Sequence, residues 1–268
     1  MIKNLEDYKI SCILPNLNGA KYLEKTIISF LSQTVKNKKL IIVDGKSKDK
    51  SHDIIKNYTK YSSILWLKYK DNGLYDAYKQ GFKYLDFSKN EIYCQLGSDD
   101  ILKNNIYKNV INNFKKNKNI DGLYYDYEII NLKNKTYKKE YKKCCSEKID
   151  IKSLKLKGNI AAGHAVFLKS FYLKYFSYPA KYQYANDYYL YIYLLKKKFF
   201  FKYVPQPATL SYYGNNITAN NVWNGAKESV KIYYNMFGVD TIFFYRLILL
   251  AKARITTLTI KILKKNFY

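Results

Sequence analysis

The sequence predicts an α/β protein with a mostly parallel sheet flanked by helices, and three observations carry that expectation. Short apolar runs recur through the first half of the chain, each followed by apolar residues at helical spacing. The run Leu40-Ile41-Ile42-Val43 is continuous rather than alternating, as in a strand covered on both faces. The turns after the strands collect Gly, Asn and Asp, and strands alternating with helices indicate βαβ units.

Ile10 to Leu14 is the first strand, stopped by Pro15 and the turn formers Asn16, Asn18 and Gly19. Leu23, Ile27, Phe30 and Leu31 mark one face of the next helix. The second strand, Leu40 to Val43, ends in Asp44-Gly45-Lys46-Ser47-Lys48-Asp49, and a helix with Ile54, Ile55 and Tyr58 follows. His52, just before those residues, reads as an exposed turn residue. Ile64 to Leu67 is the third strand and Asp71-Asn72-Gly73 its turn. Leu74, Ala77, Tyr78 and Gly81 line the following helix, with Gly81 small enough for close packing. Ile92, Cys94 and Leu96 alternate as a fourth strand, Gly97 breaks the pattern, and Asp99 and Asp100 follow it. Leu102, Ile106, Val110 and Phe114 then predict a helix.

Leu123 to Tyr125 begins another strand. The lysine-rich stretch from Asn131 to Lys157 carries a weak pattern, with a hairpin tip at Asn134-Lys135. Ala161 to Leu168 reads as a strand carrying His164, and a helix starts just after Asp187. Phe199 to Val204 and Thr209 to Tyr213 read as two strands separated by Pro205 and Pro207. Helical stretches around Ile217 to Met236 and from Thr241 to Lys265 close the chain. Without a repeat or a flexible linker, residues 1–238 are expected as one domain and 239–268 as a basic amphipathic helix.

The 268 residues suffice for a large core. The net charge of +26 comes almost wholly from lysines spread along the chain, alongside the Asn, Ile, Tyr and Phe that A/T-rich codons supply. Arg, the usual reader of base edges, occurs only at Arg246 and Arg254, so nucleic acid is not an expected partner. Acidic lipids or phosphorylated substrates remain compatible with the charge. Cys12 and Cys94 sit in apolar strands, and the adjacent Cys144 and Cys145 lack ligand spacing, so neither disulfides nor a zinc site is expected. Met1 to Lys9 has no signal-peptide character and no apolar run reaches the ~18 residues of a membrane span, which points to the cytoplasm.

Asp44, Asp71 and the pair Asp99 and Asp100 each follow a strand, so one sheet edge gathers carboxylates where open α/β sheets bind ligands. Paired carboxylates there suit a hard divalent cation that also holds a phosphate. Capping of the next helix is the competing role for the pair. Neither GxGxxG nor GxxxxGK[ST] is present, which disfavours dinucleotide and P-loop enzymes.

These segments, in this order, resemble glycosyltransferase family 2, of GT-A fold, in its bacterial surface-polysaccharide and lipooligosaccharide branch. The matching stretches are Ile13-Leu14-Pro15-Asn16-Leu17-Asn18-Gly19, Tyr22 to Ile27, Ser32-Gln33-Thr34, Ile41 to Asp49, Asp71 to Ala77 with Gly81, and Leu96-Gly97-Ser98-Asp99-Asp100. Asn186-Asp187-Tyr188 and Gly214-Asn215-Asn216-Ile217-Thr218 extend the similarity. The last thirty or so residues lie outside it. The resemblance implies inverting transfer from a nucleotide-diphosphate sugar, UDP-linked, to a hydroxyl of a glycan or lipid-linked acceptor. Residues 1–130 would then be the nucleotide-sugar-binding half and 131–238 the acceptor and catalytic half.

It further implies that Asp44 accepts from the nucleobase, that Asp99 holds the ribose or the metal, and that Asp100 binds Mn²⁺ or Mg²⁺. Asp187 would be the base that takes the acceptor's proton. Pro15, Asn16, Asn18, Asp71, Asp76, Ser98 and His164 are the further nucleotide-sugar-binding candidates. Ser98 stands where the family's metal motif often begins with Asp, and Asn16 and Leu17 where Thr and Tyr are more usual. Lys46, Lys48, Lys79 and Asn215 are further departures, and none removes a required carboxylate. A lone His in an apolar strand, as at His164, is more often a hydrogen-bonded core residue. From Thr241 onward there is no Asp or Glu, so the last helix could lie on an anionic inner membrane surface or pack on the domain. The alternative function is a non-catalytic carbohydrate- or anionic-polymer-binding protein on the same fold, and nucleotidyl transfer is a weaker third.

Overall fold

The computed structural model describes residues 8–133, 136–144, 146–159, 161–213 and 221–265. Its strands are β1 (Lys9–Asn16), β2 (Lys38–Asp44), β3 (Ile64–Lys68), β4 (Glu91–Gln95), β5 (Asp100–Leu102), β6 (Gly122–Lys133), β7 (Thr136–Lys142), β8 (Val166–Lys169) and β9 (Phe201–Tyr213). Its helices are α1 (Ala20–Leu31), α2 (Ser51–Tyr58), α3 (Leu74–Phe82), α4 (Ile106–Lys116), α5 (Ile151–Lys157), α6 (Asn186–Lys196), α7 (Val222–Phe237) and α8 (Thr241–Lys265).

One mixed sheet runs in the order β3-β2-β1-β4-β8-β6-β9-β5, with β7 paired to β6. The first four strands are parallel, with β1 taking β2 on one side and β4 on the other. Strand alternation sorts the core onto two faces. Ile10, Cys12 and Leu14 pack with Leu23, Ile27 and Phe30 of α1 and Val110, Ile111 and Phe114 of α4. Ile13, Ile41 and Val43 pack with Ala77, Tyr78 and Phe82 of α3 and Tyr188, Tyr191 and Ile192 of α6. Both faces are thus covered, as the unbroken apolar second strand predicts.

Four expectations are corrected. Leu102 is in β5, not α4. Asn105, with φ +58, is left-handed, and the helix can begin only after it, so Asp99 and Asp100 do not cap α4. The two late strands are one, β9, whose register against β6 shifts beside Tyr125, Asp126 and Tyr127. Pro205 and Pro207 are accommodated at that irregularity, where missing donors break no regular ladder. His164 is not on a strand; it sits in a 3-10 turn, Gly163–Ala165, ahead of β8. The weak middle segment forms β7 and α5. It is tied in by Asp126, buried among the Tyr203 hydroxyl at 2.7 Å, the Cys144 N–H at 2.7 Å and the Tyr141 hydroxyl. Polar anchoring of that kind leaves no apolar period to read. The hairpin tip Asn134-Lys135, Cys145, the stretch Gly214 to Thr218 and Met1 to Asp7 lie outside the described residues.

Gly81 brings α3 onto β1 as its size predicts: a Cβ there would lie 2.6 Å from Ile13 Cγ2. Gly81→Ala should destabilise the fold by about 1–3 kcal/mol through overpacking. Thermal unfolding should then fall by several degrees; an unchanged midpoint would show that the contact is not tight.

Candidate functional site

Because β2 and β4 flank β1 on opposite sides, the loops leaving β1 and β4 diverge and open a crevice at the carboxyl ends of the strands. Gly19, from the β1 loop, lines it: a Cβ there would stand 2.3 Å from Asn16 Oδ1 and 2.4 Å from Ser98 Oγ. The crevice closes over Gly19 only because no side chain intervenes.

On the β1–β2 side, Asp44 is fully buried and saturated by its own chain. Its Oδ2 accepts from Asn16 Nδ2 at 2.7 Å and Ser47 Oγ at 2.8 Å. Its Oδ1 accepts from the Ser47 N–H at 2.9 Å and faces His52 Nε2 at 2.9 Å. Burial opposes the charge, yet the Ser47, Asn16 and His52 donors outweigh it and hold this carboxyl below its ordinary range. His52 is therefore not a free turn residue: it lies in α2, edge-on to Trp66, and is the partner of Asp44. The amide of Asn16 must turn its NH₂ toward Asp44, so its Oδ1, buried and without a partner among the described residues, is left as an acceptor beside Gly19. Pro15 is buried in β1 opposite Val43. Asn18 ties the two loops, its N–H donating to Ser47 Oγ and its Oδ1 accepting from the Lys48 N–H.

Asp71 Oδ2 lies 2.8 Å from the place a Cβ on Gly45 would take. Burial, then the charges of Asp76 and Asp44, raise its carboxyl against the Gly73 N–H that accompanies it. Asp76 Oδ2 accepts from the Asn72 N–H at 3.0 Å and so shapes the same turn.

Across the crevice, the strand end of β4 presents Ser98, Asp99 and Asp100. Asp100 is buried; its Oδ2 accepts from the Gly97 N–H at 2.7 Å and its Oδ1 from the Ser211 hydroxyl of β9. Burial and the adjacent Asp100 charge push Asp99 up to about 7. Two acids crowded this way, offering only oxygen donors, fit a hard divalent cation, which would relieve their repulsion. Among the described residues no third His, Cys, Asp or Glu completes a cluster, so further oxygens would have to come from a diphosphate and water.

Asp187 occupies the first turn of α6. Its Oδ1 accepts from the Tyr188 N–H at 2.9 Å, its Oδ2 from Asn159 Nδ2 at 2.6 Å, and the Tyr75 hydroxyl of α3 adds a further bond. Burial raises this carboxyl to about 6 against those bonds. Tyr78 of α3, itself buried, lies within electrostatic reach of both Asp100 and Asp187. His164 is set apart: its Nδ1 meets Thr209 Oγ1 at 2.7 Å and its ring stands edge-on to Tyr127. A cavity of about 650 Å³, lined by residues such as Lys103, Asn105, Gln206 and Leu210, includes none of these groups.

Sequence reasoning missed Ser211, Tyr75, Asn159 and the His52–Asp44 pair. Only His52 left a signal, as a polar residue one helix start away from Asp44.

The model of Glycosyl transferase family 2 matches residues 11–176, and the chain belongs to that family. It is 30% identical over 201 residues to the uncharacterised glycosyltransferase RT0329 of Rickettsia typhi, an alignment that takes in 73% of this chain and 61% of that protein. The chain thus spans about three-fifths of that relative. The UDP-Glc:alpha-D-GlcNAc-diphosphoundecaprenol beta-1,3-glucosyltransferase WfgD of Escherichia coli is 30% identical over 192 residues, 72% of either chain. The crystal structure of Staphylococcus aureus TarS 1-349 in complex with UDP-GlcNAc superposes with a TM-score of 0.65 at 13% identity, covering 92% of this chain and 73% of that one. That likeness shows the fold, which is the GT-A type expected.

Asp44→Ala should cost about 3 kcal/mol in chemical denaturation, since it strands the Asn16, Ser47 and His52 donors. In the native chain the lowered Asp44 carboxyl gives stability that is fully present above about pH 3.9 and lost as pH falls through its lower folded value. Asp44→Asn should therefore flatten part of the acid limb of stability against pH, and an unchanged limb would sink this account.

Proposed function

We propose that this chain is an inverting, metal-dependent glycosyltransferase that moves a sugar from a UDP-sugar to a hydroxyl of a glycan or lipid-linked acceptor in bacterial cell-surface polysaccharide synthesis. What supports this reading is that a family member joins an acidic strand end, Asp99 and Asp100, to a raised carboxyl, Asp187, in the first turn of α6. Family membership supports the reaction class, and the printed activity of WfgD supports the donor and acceptor classes.

Asp100 and Asp99 would hold Mn²⁺ or Mg²⁺, which when bound offsets negative charge on the departing diphosphate. Asn16 Oδ1 is the acceptor available to an N–H or O–H of the nucleotide, with Asp44 fixing the amide that presents it. Asp71 and Asp76 shape the turn beside Gly45 against which the nucleotide sugar would lie. Asp187 takes the proton of the acceptor hydroxyl as its oxygen bonds to the anomeric carbon and the bond to the diphosphate breaks. Inversion follows because attack and departure occupy opposite faces of the sugar. A carboxyl with a value about 6 is ionised at neutral pH and is a stronger base than an ordinary Asp.

We further propose that α8 rests on an anionic membrane surface. Phe244, Tyr245, Ile248 and Leu249 share an exposed face of that helix, and no acid follows Thr241. No helix among the described residues is long and apolar enough to cross a membrane.

A panel of sugar nucleotides with Mn²⁺, read by nucleotide release, tests the reaction. Asp187→Asn should keep UDP binding and lose about 10²–10⁴-fold in rate, and Asp100→Ala should weaken metal-dependent binding. Because Asp187 is protonated below about 6, the rate should fall as pH drops through that value. Normal turnover in both variants would refute the mechanism, and glycan binding without any release would favour the non-catalytic alternative. For the membrane, Phe244→Ser with Ile248→Ser should lower sedimentation with phosphatidylglycerol vesicles about tenfold; equal sedimentation would remove the proposal.

A further inference from the structure

The C-terminal helices reach the candidate base from two directions. Glu228 of α7 takes all three backbone donors that precede α6: its Oε1 accepts from the Gln183 N–H at 2.8 Å, its Oε2 from the N–H groups of Tyr184 at 2.6 Å and Ala185 at 3.1 Å. These N–H groups belong to the segment that leads into α6, so an acceptor from another helix fixes the approach to its first turn. Arg246 of α8 is buried, 6% exposed. Its Nη1 donates to the Tyr188 hydroxyl at 2.6 Å, and its guanidinium stacks over the Tyr188 and Tyr233 rings at 4.9 and 5.2 Å. Its Nη2 donates to Ser229 Oγ at 3.1 Å. The same Nη2 lies 2.6 Å from where a Cβ on Gly158 would sit, immediately before Asn159.

We infer that Glu228 and Arg246 are positioning residues for Asp187, fixing the entry and first turn of α6 so that its carboxylate keeps one direction in the cleft. The inference rests on Asp187 being the proton acceptor. A helix that needed only to pack would be served as well by an apolar side chain, because replacing a buried ion by a hydrophobe of similar volume is often neutral or stabilising. Arg246 instead bonds the hydroxyl of the tyrosine whose N–H bonds Asp187, and it fills the space beside the glycine whose neighbour bonds the other carboxylate oxygen. Displacement of a reacting group by about 1 Å can cost about 10²-fold in rate without touching affinity.

The test uses the full chain with Mn²⁺ and the sugar nucleotide of the panel that it turns over fastest, measuring kcat and KM for nucleotide release, UDP affinity and melting temperature. Arg246→Met, Glu228→Gln and Tyr188→Phe, which removes only the hydroxyl that Arg246 holds, should each lower kcat about tenfold or more. Donor KM and UDP affinity should stay within about twofold, and Arg246→Met should melt no lower than the parent. Arg246→Lys, which keeps the charge and one donor, should recover part of the rate. Unchanged kcat in the folded variants, or kcat, KM and melting temperature falling together, would overturn the positioning role. Asp187→Asn in the same assay separates the two readings. Its loss of turnover with parental rates in the other variants removes only the positioning role, whereas its retention of turnover removes the base itself.

Discussion

The reversal of strand order at β1 is the constraint on which the rest of the structure depends. With β2 on one side and β4 on the other, the chain must leave the sheet in two directions at neighbouring strand ends. Backbone N–H groups and short polar side chains then converge there. Asn16, Gly19, Asp44 and Ser98 are brought together by pairing geometry, although Asn16 and Ser98 are 82 positions apart in the chain (98 − 16). Gly19 is the tight point: with Asn16 Oδ1 and Ser98 Oγ on either side, only a residue without Cβ lets the two loops approach.

Electrostatics sharpens that geometry. A chain with a formal charge of +26 concentrates acids in one crevice, and the two acidic groups there are treated differently. Asp44 is surrounded by donors and kept ionised below its usual range, which makes it a fixed structural charge. Asp99 shares a confined space with Asp100 and is pushed toward neutrality. Asp187, raised by burial alone, falls between these extremes, where a carboxylate is both ionised and basic at neutral pH. Three environments thus give one residue type three ionisation behaviours.

What was legible in the sequence is what is local in the chain. Strand ends such as Val43-Asp44-Gly45 and Leu96-Gly97-Ser98 declare themselves because apolar alternation stops where turn residues begin. Contacts closed by distant pairing left no such mark. Ser211 reaches Asp100 through β5–β9 pairing across 111 residues, and nothing near either residue signals that partnership. The extended reading of His164 failed for a different reason: Ala161 to Leu168 is apolar enough for a strand, but Gly163 packs against the Gln95 amide and the chain turns there first. In the stretch around β7, buried Asp126 does the organising that apolar side chains do elsewhere, so periodicity had nothing to report.

The two exposures of α8 follow from one helical repeat. Arg246 faces inward and is buried, while Phe244, Tyr245, Ile248 and Leu249 turn outward at one- and four-residue steps. At its inner contact Arg246 sits with Phe243, which packs on Tyr233, while Lys252 and Arg254 further along the helix are exposed. The inner cation is tolerated because two hydroxyls and two aromatic faces receive it, and the inner polarity in turn fixes the helix's rotation about its axis. Any surface that engages the outer face therefore acts on a helix already keyed to Tyr188, one residue from Asp187.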